Sequence, residues 1–115
     1  MAIQTKTKEQ DGVTILTVNE KSLLHENAPY LKEKLFVLVN EGHKNIILDL
    51  NEVERMDSSG MSALLFGKRQ ANAQQGDLVL LNPQEAVRKI LQIAQLTRVF
   101  ELFEDEQEAV QSFQE

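Results

Sequence analysis

The chain has 115 residues, 42% of them apolar and 26% charged. That profile suits one globular domain spanning 1-115, with a real hydrophobic core and a radius of gyration of about 13 Å, and it excludes a disordered chain. Against 12 basic residues stand 18 acidic ones, a net charge of -6, and no run of Lys or Arg is long enough for a nucleic-acid footprint.

With zero Cys, and with His25 and His43 far apart, a disulfide framework, a thiolate metal site and a structural zinc site are all excluded. Met1 to Gln10 is polar and lacks the apolar core of a signal peptide. Stretches such as Phe36 to Val39 or Leu78 to Leu81 are far too short to cross a bilayer. The expectation is a cytoplasmic protein with no membrane or nucleic-acid partner.

Ile3 to Lys8 and Val13 to Val18 are Thr- and Val-rich runs on either side of Gln10-Asp11-Gly12, and they read as a β-hairpin. Ala28, Leu31, Leu35, Leu38 and Val39 then share one face of a helix, with Asn27 as N-cap, Pro29 in the first turn and Gly42 as terminator. Asn45 to Leu50 is short, β-branched and nearly all apolar, as a strand covered on both faces would be.

Ser59 to Gln74 predicts a second helix, with Met61, Leu64 and Leu65 inward, Lys68, Arg69 and Asn72 outward, and Gly76 ending it. Leu78 to Leu81 is another buried strand. Asn82-Pro83-Gln84-Glu85 opens the next helix as N-cap, Pro at N1 and Glu at N3 in a capping-box arrangement. Its buried stripe is Val87, Ile90, Leu91 and Ala94. Val99 to Phe103 is the last strand candidate. Asp105 and Glu108 cap a short closing helix that uses Ala109, Val110 and Phe113.

The order β-β-α-β-α-β-α-β-α predicts an α/β fold: a single mixed β-sheet with the N-terminal hairpin at one edge, flanked by about four α-helices. Leu48, Leu50, Leu64, Leu80, Val87 and Ile90 are the expected core.

No phosphate-binding loop, dinucleotide-binding turn or nucleophile elbow is present. Asp49 ends a buried strand, where a phospho-acceptor carboxylate would stand. Such a site needs further acidic Mg²⁺ ligands on an earlier strand end, and Val18-Asn19-Glu20 offers only one. Asp49 is therefore read as capping the strand end or bonding nearby amides.

Asp57-Ser58-Ser59-Gly60 is the informative segment. It lies between a buried strand and a helix, where unpaired N–H groups and the helix dipole favour an anion. Taken alone, the four residues are explained by an N-cap and a tight turn, with no ligand needed.

Their position says more. Met56-Asp57-Ser58-Ser59-Gly60 follows the strand Ile46 to Leu50 and runs on into Leu65-Phe66-Gly67-Lys68-Arg69. Gly76 to Pro83 and Val87-Arg88-Lys89-Ile90-Leu91 come after it. In this order the chain resembles the STAS-domain family, and within it the bacterial anti-sigma factor antagonists. The resemblance implies Ser58 as the phospho-acceptor, with no catalytic residue, cofactor or metal. It also implies partner contacts from Asp57, Ser59, Gly60, Met61 and Lys68. Where the family has a Gly-Glu-Leu-Asp-like segment, this chain has Asn19 to Glu26; there Leu23 and Leu24 either replace that partner contact or fold inward.

The implied partners are an anti-sigma factor with Ser kinase activity and a Ser/Thr phosphatase acting on phospho-Ser58. The implied docking side gathers the motif loop, the helix start through Lys68 and the 19–26 loop. Two other readings remain. One is a STAS subunit docking on a transporter ATPase without a regulated Ser58. The other is an enzyme with Ser58 as nucleophile, which lacks a general base near the motif in sequence.

Overall fold

Two β-rich runs build the edge of the sheet. In the computed structural model, which describes residues 2–114, β1 (Thr5–Gln10) and β2 (Val13–Val18) pair antiparallel with Gln10 opposite Val13. Asp11 and Gly12 between them both have positive φ, 53° and 81°, as a two-residue hairpin turn of this kind requires.

The remaining strands of this sheet are parallel: β4 (Asn45–Asp49) on β2, β6 (Asp77–Leu81) on β4, and β7 (Leu102–Phe103) on β6, in the order β1-β2-β4-β6-β7. The parallel register aligns Leu16, Leu48, Leu80 and Leu102 across the sheet. A mixed sheet flanked by four helices is the architecture that the sequence predicts.

Leu16, Ile46, Leu48, Leu78 and Leu80 pack on one face against α1 (Ala28–Asn40) and α2 (Ser58–Ala73). The other face carries Val13, Ile15, Ile47, Val79 and Leu81 against α4 (Glu106–Ser112), through Ala109 and Val110. Both faces of the central strands are thus covered, which is why they read as continuous apolar runs. The radius of gyration is 12.7 Å.

The buried residues of α1 are Ala28, Leu31, Leu35, Leu38 and Val39, as the 3.6-residue period requires. Its end is a Schellman motif: Gly42 N–H donates to Val39 O and His43 N–H to Leu38 O. Asn27 stands at the N-cap position, but its side chain does not cap. It accepts the Leu24 N–H at 2.9 Å and donates to Ser22 O at 2.8 Å, folding the preceding loop instead.

Several local expectations are corrected. The helix after β6, α3 (Glu85–Ile93), has Gln84 as N-cap, and no capping box forms. Asn82 sits in the left-handed region at φ 53°, and Pro83 is buried before the helix starts. Val87 and Leu91 are buried, Ile90 is only half-buried and Ala94 is exposed, so the core stripe is narrower than the periodicity implies. Leu48, Leu50, Leu64, Leu80 and Val87 are fully buried as expected.

The run Val99 to Phe103 begins with a 3₁₀ turn (Leu96–Arg98) before it and pairs only at β7. Its Val99 is exposed, while Phe100 turns into the main core. Helix α2 is ended by Gln75 at φ 63°, not by Gly76. Gly76 serves a different need, since a Cβ there would lie 2.1 Å from Lys44 O.

Candidate functional site

Two elements with no period long enough to read from sequence organise the site. β3 (Ser22–Leu23) and β5 (Arg55–Met56) pair in parallel as a separate two-stranded sheet, with Ser22 opposite Arg55 and Leu23 opposite Met56. Lys21 O accepts the N–H groups of Glu54 and Arg55 at 2.6 and 3.1 Å, and Leu23 O accepts that of Asp57 at 3.3 Å. This pairing holds the 19–26 loop against the start of α2. The expectation that these two segments share one side is met.

Asp57 is the N-cap of α2. Its Oδ1 accepts the Ser59 and Gly60 N–H groups at 2.9 and 3.1 Å, and its Oδ2 accepts the His25 N–H at 3.1 Å. Partial desolvation acts to raise the carboxyl pKa, but the three N–H bonds, with His25 nearby, hold it below the usual carboxylate range. The Met61 N–H bonds to Asp57 O, so Ser58 N–H is the one first-turn donor without a partner among the described residues. The helix end expected to greet an anion is therefore already filled by the protein's own carboxylate.

Ser58 is exposed, and Ser59 is half-buried. With Ser62, Ala28, Pro29 and Lys32 they line an open cleft of about 270 Å³ between the starts of α1 and α2. Ser59 lends its backbone N–H to the cap, and the capping side chain is that of Asp57, not of Ser59.

The other expected contact residues separate into two groups. Leu24 and Met61 are half-buried and remain partly accessible. Leu24 lines a larger cleft of about 630 Å³ with Asn19, Lys21, Ser22 and Arg55. Leu23 is fully buried in the main core, so of the two readings of the Leu23-Leu24 pair, Leu23 folds inward. Gly60 is also buried: a Cβ there would lie 2.6 Å from Leu23 O and from Met56 Cγ. It permits the close approach of α2 to β3 and offers no surface to a partner.

Lys68 departs most from expectation. Its Nζ pairs with Asp77 Oδ1 at 2.6 Å and lies 5.9 Å from the centre of the Phe100 ring. Asp77 is the first residue of β6, at the end of the strands opposite the motif loop. Ten residues along α2, about 15 Å from Ser58, Lys68 braces helix to strand.

The site also includes a residue that sequence spacing did not join to it. His25 donates its N–H to Asp57, and its ring Nδ1 lies 3.5 Å from Glu26 and 3.9 Å from Asp57. Thirty-two residues separate it from Asp57, and only the β3–β5 pairing brings them together. No hydrogen bond joins the ring to Ser58 among the described residues. His43, by contrast, lies at the end of α1, with Nδ1 2.8 Å from Glu9 and 3.2 Å from Thr14 Oγ1.

Asp49 accepts the Asn51 N–H at 3.0 Å and lies 3.5 Å from Thr17 Oγ1, the amide-bonding role expected of it. Burial raises its pKa, and Glu106 and Glu52 add to that, against the bonds from Asn51 and Thr17. Among the described residues no group of three or more His, Asp or Glu side chains is placed to hold a metal ion, and no helix is long and apolar enough to cross a membrane.

Residues 4–109 match the STAS domain family. The chain is 30% identical over 105 residues to a candidate anti-sigma factor antagonist of Thermotoga neapolitana, covering 90% of this chain and 92% of that one. The crystal structure of a candidate anti-sigma factor antagonist of Thermotoga maritima superposes with a TM-score of 0.90 at 28% identity, covering 96% of this chain and 95% of that one. The phosphorylated form of the Bacillus cell fate determinant SpoIIAA superposes with a TM-score of 0.71 at 25% identity, over 96% of this chain and 98% of that one. With the β3–β5 pair and the capped motif of α2 in place on a mixed sheet, this chain belongs to the STAS-domain family of anti-sigma factor antagonists.

Proposed function

We propose that this chain is a single STAS domain acting in the cytoplasm as the antagonist of an anti-sigma factor that carries Ser kinase activity. Unphosphorylated, it binds that partner and frees a sigma factor. The kinase then transfers the γ-phosphoryl group of ATP to Ser58 Oγ: the new O–P bond forms, ADP leaves and the hydroxyl proton passes to a base on the kinase. A Ser/Thr phosphatase restores the hydroxyl by hydrolysis, releasing inorganic phosphate. This chain supplies the switch and catalyses neither step.

One observation carries the reading: Ser58 is the exposed first residue of a helix whose cap is already provided by Asp57. Its hydroxyl is thereby available to a kinase without being needed by the fold. Of the expected contacts, Asp57, Ser59, Leu24 and Met61 remain accessible enough to form the docking side with Ser58. Phosphorylation adds about -1.5 to -2 charges there. Desolvating that charge beside a partner costs several kcal/mol, and ~3 kcal/mol weakens binding more than a hundredfold.

The test is phosphopeptide mass spectrometry after incubation with the cognate kinase and ATP, alongside Ser58→Ala and Ser58→Asp. Label is expected on Ser58, with persistent kinase binding by Ser58→Ala and weak binding by Ser58→Asp. Label on Ser59 alone, or on neither serine, refutes the assignment.

A further inference from the structure

A phosphate on Ser58 would meet an unusual surrounding for the start of a helix. The Ser59 and Gly60 N–H groups are engaged by Asp57 Oδ1, and the Met61 N–H by Asp57 O. Of the backbone donors that would hold an anion at an uncapped helix, only the Ser58 N–H is left without a partner among the described residues. Asp57 adds a negative charge beside the same residue.

One cation faces the serine across the cleft. Lys32 lies one turn into α1 and lines the 270 Å³ space together with Ser58, Ser59, Ser62, Ala28 and Pro29. It makes no ion pair or side-chain hydrogen bond among the described residues, although it is half-buried. Its neighbours along the helix at i-4 and i+4 are Ala28 and Phe36, so no carboxylate one turn away occupies it. The chain carries an excess of acid over base, which makes a half-buried lysine without a partner beside three serines a specific feature.

We propose that Lys32 is the internal counter-ion of phospho-Ser58, so that the phosphoryl group is drawn into the cleft over the first turn of α1. This rests on the Ser58 reading above and adds its physical consequence. The modified residue covers part of α1 as well as the α2 start, so the surface withdrawn from the partner extends across both helices. The fold meanwhile tolerates the new charge without disturbing the Asp57 cap. Lys32 acts here as a positioning residue, holding the phosphate through Coulomb attraction and N–H donation.

The experiment uses the full chain with phosphoserine genetically encoded at position 58, so it needs no kinase. A ³¹P NMR titration reads the second phosphate pKa, ordinarily about 6. A nearby ammonium favours the dianion and lowers that value. The pKa should be lower in the Lys32 protein than in Lys32→Gln by about half a unit, with the difference shrinking in high salt. Lys32→Arg should restore it. Lys34→Gln is the control on α1, since Lys34 faces a different surface beside Ile3 and Tyr30.

Asp57, with His25 and Glu26 beside it, is unchanged in every variant, so the difference isolates Lys32. Identical titrations for the Lys32 and Lys32→Gln proteins would overturn the proposal, as would an equal shift in Lys34→Gln. If the cognate kinase fails to label Ser58 while this difference is present, the proposed function fails and the counter-ion assignment stands.

Discussion

Replacing Asp57 tests whether one carboxylate joins the two halves of the site. Asp57→Ala removes two N-cap bonds, at 2.9 and 3.1 Å, and the 3.1 Å bond from His25 N–H. The cap contributes about 1 kcal/mol. The bond to His25 contributes about 1 kcal/mol more before allowance for the partial exposure of the group. The expected loss is therefore at most about 2 kcal/mol.

Asp57→Asn separates the two parts. Its amide oxygen can still accept from Ser59 and Gly60, but its NH₂ then faces the His25 N–H, donor against donor. That variant should lose about 1 kcal/mol. With a urea slope of about 1.3 kcal/mol/M for a small domain, the midpoints should fall by up to about 1.5 M and about 0.8 M. The pH dependence follows from the lowered carboxyl pKa, which the N–H bonds achieve against desolvation. A depressed native pKa means the stabilisation is complete above the unfolded value near 3.9 and is lost as pH falls through the native value. The gap between the native chain and Asp57→Ala should thus narrow below about pH 4. Urea midpoints of Asp57→Ala within about 0.2 M of the native chain at neutral pH, or a gap unchanged in acid, would refute the reasoning.

Lys68→Glu should reduce stability by about 1 kcal/mol or more, since it exchanges the ion pair with Asp77 for like charges at the same point. Association with the partner, measured by stopped flow at low salt, should be unaffected; a slowed association with unchanged stability would return Lys68 to the interface. Asp49→Asn should raise the melting temperature at neutral pH. Burial first, then Glu106 and Glu52, favours the protonated form of Asp49 in the native state, so stability falls as pH rises from the unfolded pKa through the native one. The advantage of Asn should disappear in acid below about pH 3, and equal melting temperatures at pH 7 would contradict the assignment.

What the sequence determined by itself is what repeats along it or lies next to itself. The stripe of α1 from Ala28 to Val39, the two-face burial of Ile46 to Leu48 and of Leu78 to Leu80, and the Asp11-Gly12 turn are local consequences of period and propensity. The motif Asp57 to Gly60 was legible as a helix start for the same reason, because a cap and its helix are contiguous. Only the tertiary structure decided which residues meet. β3 and β5 are two residues each, too short to show a period, yet their pairing buries Leu23, makes Gly60 necessary and brings His25 to Asp57. Lys68 lies on a helix face whose exposure depends on where β6 begins, and Asp77 and Phe100 turn it from a surface charge into a brace. Ile90 and Ala94 follow the helical period but lie partly or wholly beyond what the sheet covers. Period and propensity act between neighbours in the chain, whereas burial and pairing depend on residues distant in sequence, whose positions emerge only when the layers close on one another.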